Sequence, residues 1–361
     1  MIDFEPSEEQ ALIRETVRQF AEREIRPLAR SADEEGKLPG AVLAKAHELG
    51  LVANALPGEL GGGGERSAVL GALVAEELAW GDLAIAIAIL SPALCAVPVL
   101  DNGTLAQQQA LLPPYLGEHF RPGSLALVEP RVGADPFRPT LEARRLGASY
   151  TLEGRKCFVP WLDGGETFIA VAALEGNPTA FAVARDAAGL TATPERNLGL
   201  QALPTVELHF DRVEVRADAR VGDDRFDLAG VITRGRVALA AMGVGVARAS
   251  YEIAREYAKQ REAFGGPIAA KQAIAFKLAD MAIEIDGARL LVWEAAWRLD
   301  NGESALREAT LAYQQVRRVS LEVADGAVQV LGGHGYTREY LPEMHMRNAQ
   351  GFSSFEGLAL V

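Results

Sequence analysis

Apolar residues recur at helical spacing through the first part of the chain. Ile13, Val17 and Phe20 lie three and four positions apart, which predicts an amphipathic helix. Ser7 stands three residues before Gln10, the spacing of a capping box, so this helix is predicted to begin there. The same periodicity predicts further helices over residues 40–49, 67–80 and 104–115.

The pattern changes to alternation, with a period of two, from about Gly123. β-Branched and aromatic residues between turn signals predict strands over residues 151–159, 168–173, 180–184 and 206–215. Within the first of these runs, Gly154 is expected at the turn of a hairpin. Together the strands predict a small β-barrel-like domain in the middle of the chain.

Helical periodicity returns from about Phe226. Three long helices are predicted over residues 238–259, 271–300 and 304–331, and their short connections indicate a bundle. The predicted fold class is therefore α+β and multidomain. It has an N-terminal all-α domain over residues 1–119, a central β-barrel-like domain over residues 120–225 and a C-terminal four-helix bundle over residues 226–361.

One apolar segment, from Leu83 to Leu100, raises the question of a membrane span. It contains a single polar residue, Ser91, and its 18 residues reach the lower limit for crossing a bilayer. It is also rich in alanine and broken by Pro92 and Pro98. We expect a buried core helix followed by a turn, and no membrane span.

Charge and cysteine content narrow the class of partner and the compartment. The net charge of −13 argues against nucleic acid or an anionic membrane surface as the main partner. The two cysteines, Cys95 and Cys157, form neither a disulfide framework nor a metal-binding pattern, which is typical of the reducing cytoplasm. No metal site is expected, because His345 has no partner at metal-ligand spacing.

Glu356 is the strongest candidate for chemistry. It lies between Phe355 and Gly357, soon after a glycine-rich run over residues 331–336. An aromatic neighbour keeps water away and raises the pKa of a carboxyl group, which suits a general base. Taken alone, a glutamate beside a phenylalanine is usually a surface residue. The other glycine-rich run, residues 57–64, lacks a following Lys-Ser or Lys-Thr and is predicted to be a flexible loop.

Four stretches in order along the chain carry a resemblance to a known family. They are Val128 to Asp135, Tyr257 to Met281, Gln329 to Tyr336, and the segment around Glu356. The first resembles the Thr-Glu-Pro-x-x-Gly-Ser-Asp signature of the acyl-CoA dehydrogenases. The second is similar to that family's helix pair and the third to its flavin-contacting turn. Glu356 falls where most members place the catalytic glutamate.

This resemblance implies an FAD-dependent enzyme. FAD would bind between the β domain and the C-terminal bundle, and the reaction would be α,β-dehydrogenation of an acyl-CoA thioester. Glu356 would abstract the α-proton, and the β-hydride would pass to flavin N5. The resemblance further implies an electron-transfer flavoprotein as electron acceptor and a homo- or heterotetramer as the assembly.

The family pattern also implies roles for individual residues. Gly357 and Ala134 would lie at the substrate, and Arg236 occupies the position of an arginine near the anionic CoA ester. The residues implied in FAD binding are Arg261, Phe264 and Gln272 at the pyrophosphate and adenosine end, Gln329, Gly332 and Gly333 toward a partner's flavin, and Phe158, Val128 and Pro160 beside the isoalloxazine.

Three residues depart from the family pattern by losing a hydroxyl group. Val128 and Pro160 replace threonines, and Ala134 replaces a serine. The sequence also reaches Val361 where the family pattern continues into one more helix, which indicates a shortened member or a missing helix. These departures leave a non-catalytic or half-site subunit of a heteromeric enzyme as an alternative, and an oxidase on the same scaffold as another.

The family pattern offers two positions for the catalytic base. A subset of members carries it on a different helix, one residue before the arginine that corresponds to Arg236. Gly235 occupies that position and has no side chain. The pattern therefore leaves Glu356 as the candidate base.

Overall fold

The computed structural model describes residues 5–64, 66–223 and 225–361. In these ranges, helices form the first and last parts of the chain, and strands form the middle. The α-helices are α1 (Glu8–Phe20), α2 (Ala29–Glu35), α3 (Gly40–Glu48), α4 (Ala68–Gly81), α5 (Leu83–Leu90), α6 (Ala93–Asn102), α7 (Leu105–Leu111), α8 (Leu228–Gln260), α9 (Gln272–Asp300), α10 (Leu306–Leu331) and α11 (Pro342–Gln350). The strands are β1 (Leu125–Ala126), β2 (Glu142–Leu146), β3 (Ser149–Pro160), β4 (Thr167–Leu174), β5 (Asn177–Ala184), β6 (Leu190–Pro194) and β7 (Thr205–Arg216).

The capping box predicted at the start of α1 is present. The Ser7 side chain accepts from the backbone N–H of Gln10, and the Gln10 side chain accepts from the backbone N–H of Ser7. These two bonds satisfy N–H groups that the first helical turn leaves without partners.

The middle of the chain is one sheet in the order β1-β4-β2-β3-β7-β6, with β5 paired to β4. The predicted α+β fold with a central β domain between two helical parts is confirmed, and the described strands of that domain form an open sheet and not a closed barrel. β4 pairs in parallel with β1 and β2, and antiparallel with β5. The two parallel pairings join strands that are distant in sequence, so local alternation does not predict them, whereas β4 and β5 are consecutive and pair as a hairpin.

The prediction of a hairpin turn at Gly154 was wrong. β3 runs unbroken from Ser149 to Pro160, and Gly154 has a φ of +141° at a shift in the β3–β7 register. Gly154 therefore marks a β-bulge, the other common role of an isolated glycine in a strand. The turn that joins β2 to β3 contains Gly147, with a φ of +56°, between the paired residues Leu146 and Ser149.

The C-terminal region contains three long helices, α8, α9 and α10, together with the shorter α11. α8 packs against α10 and also against α4 of the N-terminal region, so one apolar core runs through both helical parts. α8 begins at Leu228, ten residues before the predicted start at Ala238. Its first turn is capped by Asp227, whose side chain accepts from the backbone N–H of Gly230.

The apolar segment from Leu83 onwards forms two helices. α5 and α6 meet at a 43° bend beside Pro92, and α5 is buried along its whole length. By length and composition, α5 and α6 together are long and apolar enough to cross a membrane, and so is α8 alone. Because 83% of the most apolar window of α8 is buried within the protein, its hydrophobicity is accounted for by core packing.

α11 and the turn after it bring Glu356 back to α8 and α10. The backbone of that turn is tied to α10, because the hydroxyl of Tyr313 donates to the carbonyl oxygen of Phe352. The rings of Phe352 and Phe355 meet edge to face, with centroids 5.4 Å apart. Both rings are buried, so the apolar core holds the residues on the N-terminal side of Glu356.

Candidate active site

Glu356 and Arg236 form an ion pair across the interface of α8 and the segment that follows α11. The Nε and Nη2 atoms of Arg236 donate to Oε1 of Glu356 at 2.9 and 2.7 Å. The two side chains are 10% and 16% exposed, so water screens their attraction only weakly. Both donors converge on a single carboxylate oxygen.

The other oxygen of Glu356, Oε2, is buried and has no hydrogen-bond partner among the described residues. Burial raises the pKa of Glu356 above the ordinary glutamate value, and the charge and hydrogen bonds of Arg236 offset part of the rise. A desolvated carboxylate with one unpartnered oxygen is a better proton acceptor than a solvated one. The geometry therefore gives Glu356 one anchored oxygen and one free oxygen.

Arg236 is itself held in place by α10. Its Nη1 atom donates to Oγ1 of Thr310 at 2.7 Å, while the Thr310 hydroxyl donates to the carbonyl oxygen of Leu306. The guanidinium carbon also lies 5.3 Å from the centroid of the Phe137 ring. Arg236 is only 8% exposed, so its contacts in this chain are with the candidate base and not with an open surface.

A cleft of about 440 Å³ opens between the sheet and the segment that carries Glu356. Four of the residues predicted for the site line it: Val128, Ala134, Phe158 and Glu356. Leu127 and Pro130 extend its apolar wall. The structure thus brings the predicted base together with three predicted cofactor or substrate residues, although they come from distant parts of the sequence.

Glu129 also lines this cleft, but its carboxylate already accepts several hydrogen bonds. Its carboxylate accepts from Nζ of Lys156 at 2.9 Å and from the backbone N–H groups of Thr140 and Leu141 at 2.6 and 2.8 Å. Burial raises the pKa of Glu129, but the charge of Lys156 and these hydrogen bonds outweigh it and hold the pKa at about 2. Glu129 is therefore a much weaker base than Glu356.

A third carboxylate, Glu195, supports the backbone at Phe158. Both of its oxygens accept from the backbone N–H of Phe158, at 3.2 and 3.1 Å. Phe158 has a φ of +53°, a left-handed conformation that is uncommon for a bulky residue. Such strain persists only where surrounding contacts enforce it, and the Glu195 carboxylate is one such contact.

Pro160 and Gly357 lie near the cleft without lining it. Pro160 is buried, and its carbonyl oxygen accepts from the hydroxyl of Ser124. Gly357 has a φ of +80°, and a Cβ added there would lie 3.0 Å from Cβ of Leu127. Only glycine fits this close approach without strain, so Gly357 allows the chain to turn directly after Glu356.

The predicted residues Arg261, Phe264 and Gln272 lie elsewhere, the first two on the connection between α8 and α9 and the third at the start of α9. All three are exposed, and the Phe264 ring is 95% exposed. The connection is ordered by its own contacts, since the N–H of Ile268 donates to the carbonyl oxygen of Arg261 at 2.8 Å. Nζ of Lys271 also donates to the carbonyl oxygen of Phe264. These side chains point to solvent and do not reach the Glu356 cleft of the same chain.

Gln329, Gly332 and Gly333 lie at the end of α10 and are exposed as well. The short helical turn that follows α10 is fastened to α8, because the Tyr257 hydroxyl lies 2.9 Å from Nδ1 of His334. A Cβ added at Gly332 or Gly333 would meet no atom within 4 Å. This second group of predicted residues therefore forms an open surface apart from the cleft.

Comparison with known proteins defines the class to which this fold and site belong. Residues 7–118 match the family "Acyl-CoA dehydrogenase, N-terminal domain", and residues 228–359 match "Acyl-CoA dehydrogenase, C-terminal domain". The chain is 33% identical to the mitochondrial short-chain specific acyl-CoA dehydrogenase of Bos taurus, over 96% of this chain and 86% of that protein.

Solved structures agree with this result. Butyryl-CoA dehydrogenase from Megasphaera elsdenii is 32% identical, with a TM-score of 0.91 over 99% of this chain and 96% of that one. A glutaryl-CoA dehydrogenase from Mycobacterium smegmatis in complex with FADH2 is 26% identical, with a TM-score of 0.89 over 98% of this chain and 92% of that one. The chain belongs to the acyl-CoA dehydrogenase family, whose members use FAD to dehydrogenate acyl-CoA thioesters.

The residues that line the cleft fit a flavin. Its wall is apolar at Leu127, Val128, Pro130 and Phe158, as a planar aromatic ring system requires, and Glu356, whose Oε2 is unpartnered, also lines it. The side chains of Val128 and Pro160 offer the ring no hydroxyl group, so side-chain hydrogen bonds from these two positions are lost.

Sequence reasoning missed Lys156, Glu195 and Thr310. Lys156 lies two residues before Phe158, and its proximity to a predicted site residue was a usable signal. Glu195 and Thr310 carried no signal, because each acts on a residue that is distant in sequence. No group of three or more His, Cys, Asp or Glu side chains in residues 5–64, 66–223 and 225–361 is arranged to hold a metal ion.

Proposed function

We propose that Glu356 is the base that removes the α-proton of the acyl-CoA substrate. The observation that carries this proposal is the state of its carboxylate, with Oε1 anchored by Arg236 and Oε2 buried and unpartnered at the cleft. The α-proton of a thioester is only weakly acidic, so its removal needs a desolvated base held in a fixed orientation. Glu356 meets both requirements.

The other carboxylates of the cleft support this assignment by contrast. Glu129 is held by Lys156 with its pKa at about 2, and both oxygens of Glu195 accept from the backbone of Phe158. Gly235, the alternative family position for the base, has no side chain and lies against the backbone of Ala359. Asp135 and Glu207 also line the cleft, but their side chains are 43% and 36% exposed, whereas Glu356 has a buried oxygen without a hydrogen-bond partner.

Arg236 has a defined part in this chemistry. Its charge opposes the rise in the pKa of Glu356 caused by burial, and it thereby favours the ionised form that can accept a proton. Its two hydrogen bonds to Oε1 fix the orientation of the carboxylate and leave Oε2 without a hydrogen bond. Arg236 therefore serves as a positioning residue for the base.

Phe158 and Val128 would contact the flavin ring from the side of the sheet, close to Glu356. FAD, when bound, accepts the β-hydride of the substrate, which is the redox chemistry that the side chains cannot supply. The exposed residues Arg261, Phe264 and Gln272 would bind the pyrophosphate and adenosine end. Because they do not reach the cleft of their own chain, we propose a homo- or heterotetramer in which such residues serve a neighbouring chain.

Gln329, Gly332 and Gly333 would meet the adenosine and phosphate end of a partner's flavin in that tetramer. Their exposure and the open space around the two glycines are consistent with close approach of a ligand from outside the chain. We propose an electron-transfer flavoprotein in the cytoplasm as the electron acceptor. The half-site alternative rests on the hydroxyl groups absent at Val128, Ala134 and Pro160.

The test is the visible spectrum of the purified protein under anaerobic conditions, before and after addition of butyryl-CoA. We expect a yellow protein whose flavin band bleaches, and a Glu356→Gln variant that stays yellow without bleaching. Glu207→Gln is the matched control, because Glu207 lines the same cleft but pairs with Arg155 at 3.5 Å. Bleaching by Glu356→Gln at the normal rate would refute Glu356 as the base, and a colourless protein that takes up no FAD would favour the half-site alternative.

A further inference from the structure

The segment that carries Glu356 is closed by its own backbone hydrogen bonds. The N–H of Ser354 donates to the carbonyl oxygen of Gly351 at 2.8 Å, and the N–H of Leu358 donates to that of Phe355 at 3.1 Å. Phe355 also packs against this turn, because a Cβ added at Gly351 would lie 2.0 Å from Cζ of its ring. The segment from Gly351 to Leu358 therefore forms a compact unit, and Glu356 lies inside it.

Among the described residues, two side chains from other elements donate hydrogen bonds to this segment. The hydroxyl of Tyr313 donates to the carbonyl oxygen of Phe352, and the guanidinium of Arg236 donates to the carboxylate of Glu356. Tyr313 thus holds the backbone of the segment, whereas Arg236 holds the side chain of the candidate base.

Both contacts depend on one turn of α10. Thr310 and Tyr313 lie three residues apart in this helix, a spacing that places them on the same face. Thr310 accepts from Arg236, so α10 reaches the base by two separate routes, one through Arg236 to the carboxylate and one through Tyr313 to the backbone. Burial and the charge of Glu356 raise the pKa of Tyr313, so its hydroxyl keeps its proton and stays a donor.

Apolar packing cannot replace the contact of Tyr313 with Phe352. A Cβ added at Gly243 would lie 3.4 Å from Cζ of Phe352 and 2.3 Å from Cγ1 of Val316, so α8 and α10 enclose the ring. Packing of this kind is non-directional, whereas a hydrogen bond also fixes the direction of the carbonyl group. Tyr313 and Phe352 are 2% and 0% exposed, so water does not take the place of the hydroxyl.

We infer that Tyr313 is a positioning residue for the base, because its hydroxyl fixes the peptide group of Phe352 and with it the placement of the Glu356 carboxylate. This inference rests on the proposed role of Glu356. Without the hydroxyl, the carbonyl oxygen of Phe352 is buried without a donor, and the turn can relieve this only by moving. A displacement of about 1 Å at a reacting group can slow a reaction roughly hundred-fold.

The experiment measures how fast butyryl-CoA bleaches the FAD-loaded enzyme in a single anaerobic turnover. Tyr313→Phe removes the hydroxyl and keeps the ring in the core. We expect this variant to bleach at least about ten-fold more slowly than wild type, since the base is displaced from the α-proton. Its dissociation constant for S-butyl-CoA, a thioether that cannot be dehydrogenated, should change by less than about two-fold, because positioning affects the reaction and not the binding.

Tyr115→Phe is the matched control for the loss of a buried tyrosine hydroxyl. Tyr115 is 8% exposed, hydrogen-bonds to the thiol of Cys95 and does not line the Glu356 cleft. Its variant should keep the wild-type bleaching rate and thioether affinity. Gly351→Ala is a second variant, in case Tyr313→Phe binds no FAD. Its added Cβ would press on Phe355 and displace the same turn with the Tyr313 hydroxyl intact, so it should also slow bleaching more than it weakens binding.

Two results with Tyr313→Phe would overturn the inference. One is a folded, FAD-loaded variant that bleaches at the wild-type rate. The other is a variant in which the bleaching rate and the thioether affinity fall by the same factor, because this indicates a general loosening of the site. If Tyr313→Phe binds no FAD, normal bleaching by Gly351→Ala would overturn the inference instead. The proposed function stands in each case if Glu356→Gln does not bleach. Normal bleaching by Glu356→Gln would refute the proposed function, and this inference with it.

Discussion

Arg236 connects Thr310 to Glu356 through a single guanidinium group. It donates to Thr310 Oγ1 through Nη1 at 2.7 Å and to Glu356 Oε1 through Nε and Nη2 at 2.9 and 2.7 Å. The candidate base is therefore oriented by a residue on α8, which is in turn oriented by a residue on α10. The contact of Arg236 with Thr310 and its contact with Glu356 can each be removed by a separate substitution.

Removing the charge of Arg236 should change the pH dependence of turnover. Arg236 lowers the pKa of Glu356 against the larger effect of burial, so Arg236→Gln should raise that pKa. Because the base must be ionised to accept a proton, the acidic limb of the kcat/KM profile should move to higher pH. Arg236→Lys keeps the charge and should move it less. An unchanged acidic limb in Arg236→Gln would show that another group controls it.

Removing the Thr310 hydroxyl should destabilise the protein modestly and loosen the orientation of the base. Thr310→Val leaves a buried guanidinium N–H without its acceptor, which costs about 1–3 kcal/mol. Thr310→Ser retains the oxygen and should recover most of the loss. Urea denaturation measures the stability. A purely structural role would be indicated if kcat and its pH profile stayed unchanged while stability fell.

The buried pair of Lys156 and Glu129 should be costly to break. Lys156 is fully buried, and its Nζ donates to the carbonyl oxygen of Leu127 and to Glu129. Lys156→Met leaves Glu129 with only the half-exposed Arg131, 3.4 Å away, as counter-charge, and the free energy of unfolding should fall by about 3 kcal/mol, the lower end of the cost of breaking a buried pair. The double variant Lys156→Met/Glu129→Gln removes the unpaired charge and should recover part of it. Equal loss in the single and double variants would contradict this account.

Gly357→Ala should impair both stability and turnover. A left-handed backbone conformation costs a non-glycine residue roughly 1–2 kcal/mol, and here the added Cβ would also press against Leu127 at 3.0 Å. Gly147→Ala is the control, because Gly147 has a φ of +56° but open space around it. The Gly147 variant should show the backbone cost alone, with normal kcat. Comparable kcat in the two variants would mean that the turn at Gly357 does not set the position of Glu356.

Local sequence patterns predicted the helices and most of the strands, but they did not show whether the sheet is open or closed. Capping at Ser7 and the periodicity of α9 and α10 are properties of short stretches, and they are found as expected. Whether a sheet closes depends on pairings such as Leu125 with Ile169, which no local pattern specifies. Gly154 shows a second limit, because a glycine between β-formers marks a turn or a bulge with the same sequence signal.

The candidate site, too, could be predicted from the sequence only in part. The sequence identified Glu356 from its neighbours and from the family pattern. Its contact with Arg236 joins residues 120 positions apart, so it could be known only from the fold. Glu195 was missed for the same reason, since it acts on the backbone of Phe158 from 37 positions away.

The segment that carries Glu356 is anchored on both of its sides. Phe352 and Phe355 pack together in the core before it, and Leu358, Ala359 and Leu360 are 1%, 1% and 3% exposed after it. Because the backbone is held in this way, the carboxylate can be reoriented only through the torsions of its own side chain. A substrate whose α-carbon is misplaced cannot draw the base toward it, so the misfit is expected to lower the turnover number as well as to raise the Michaelis constant.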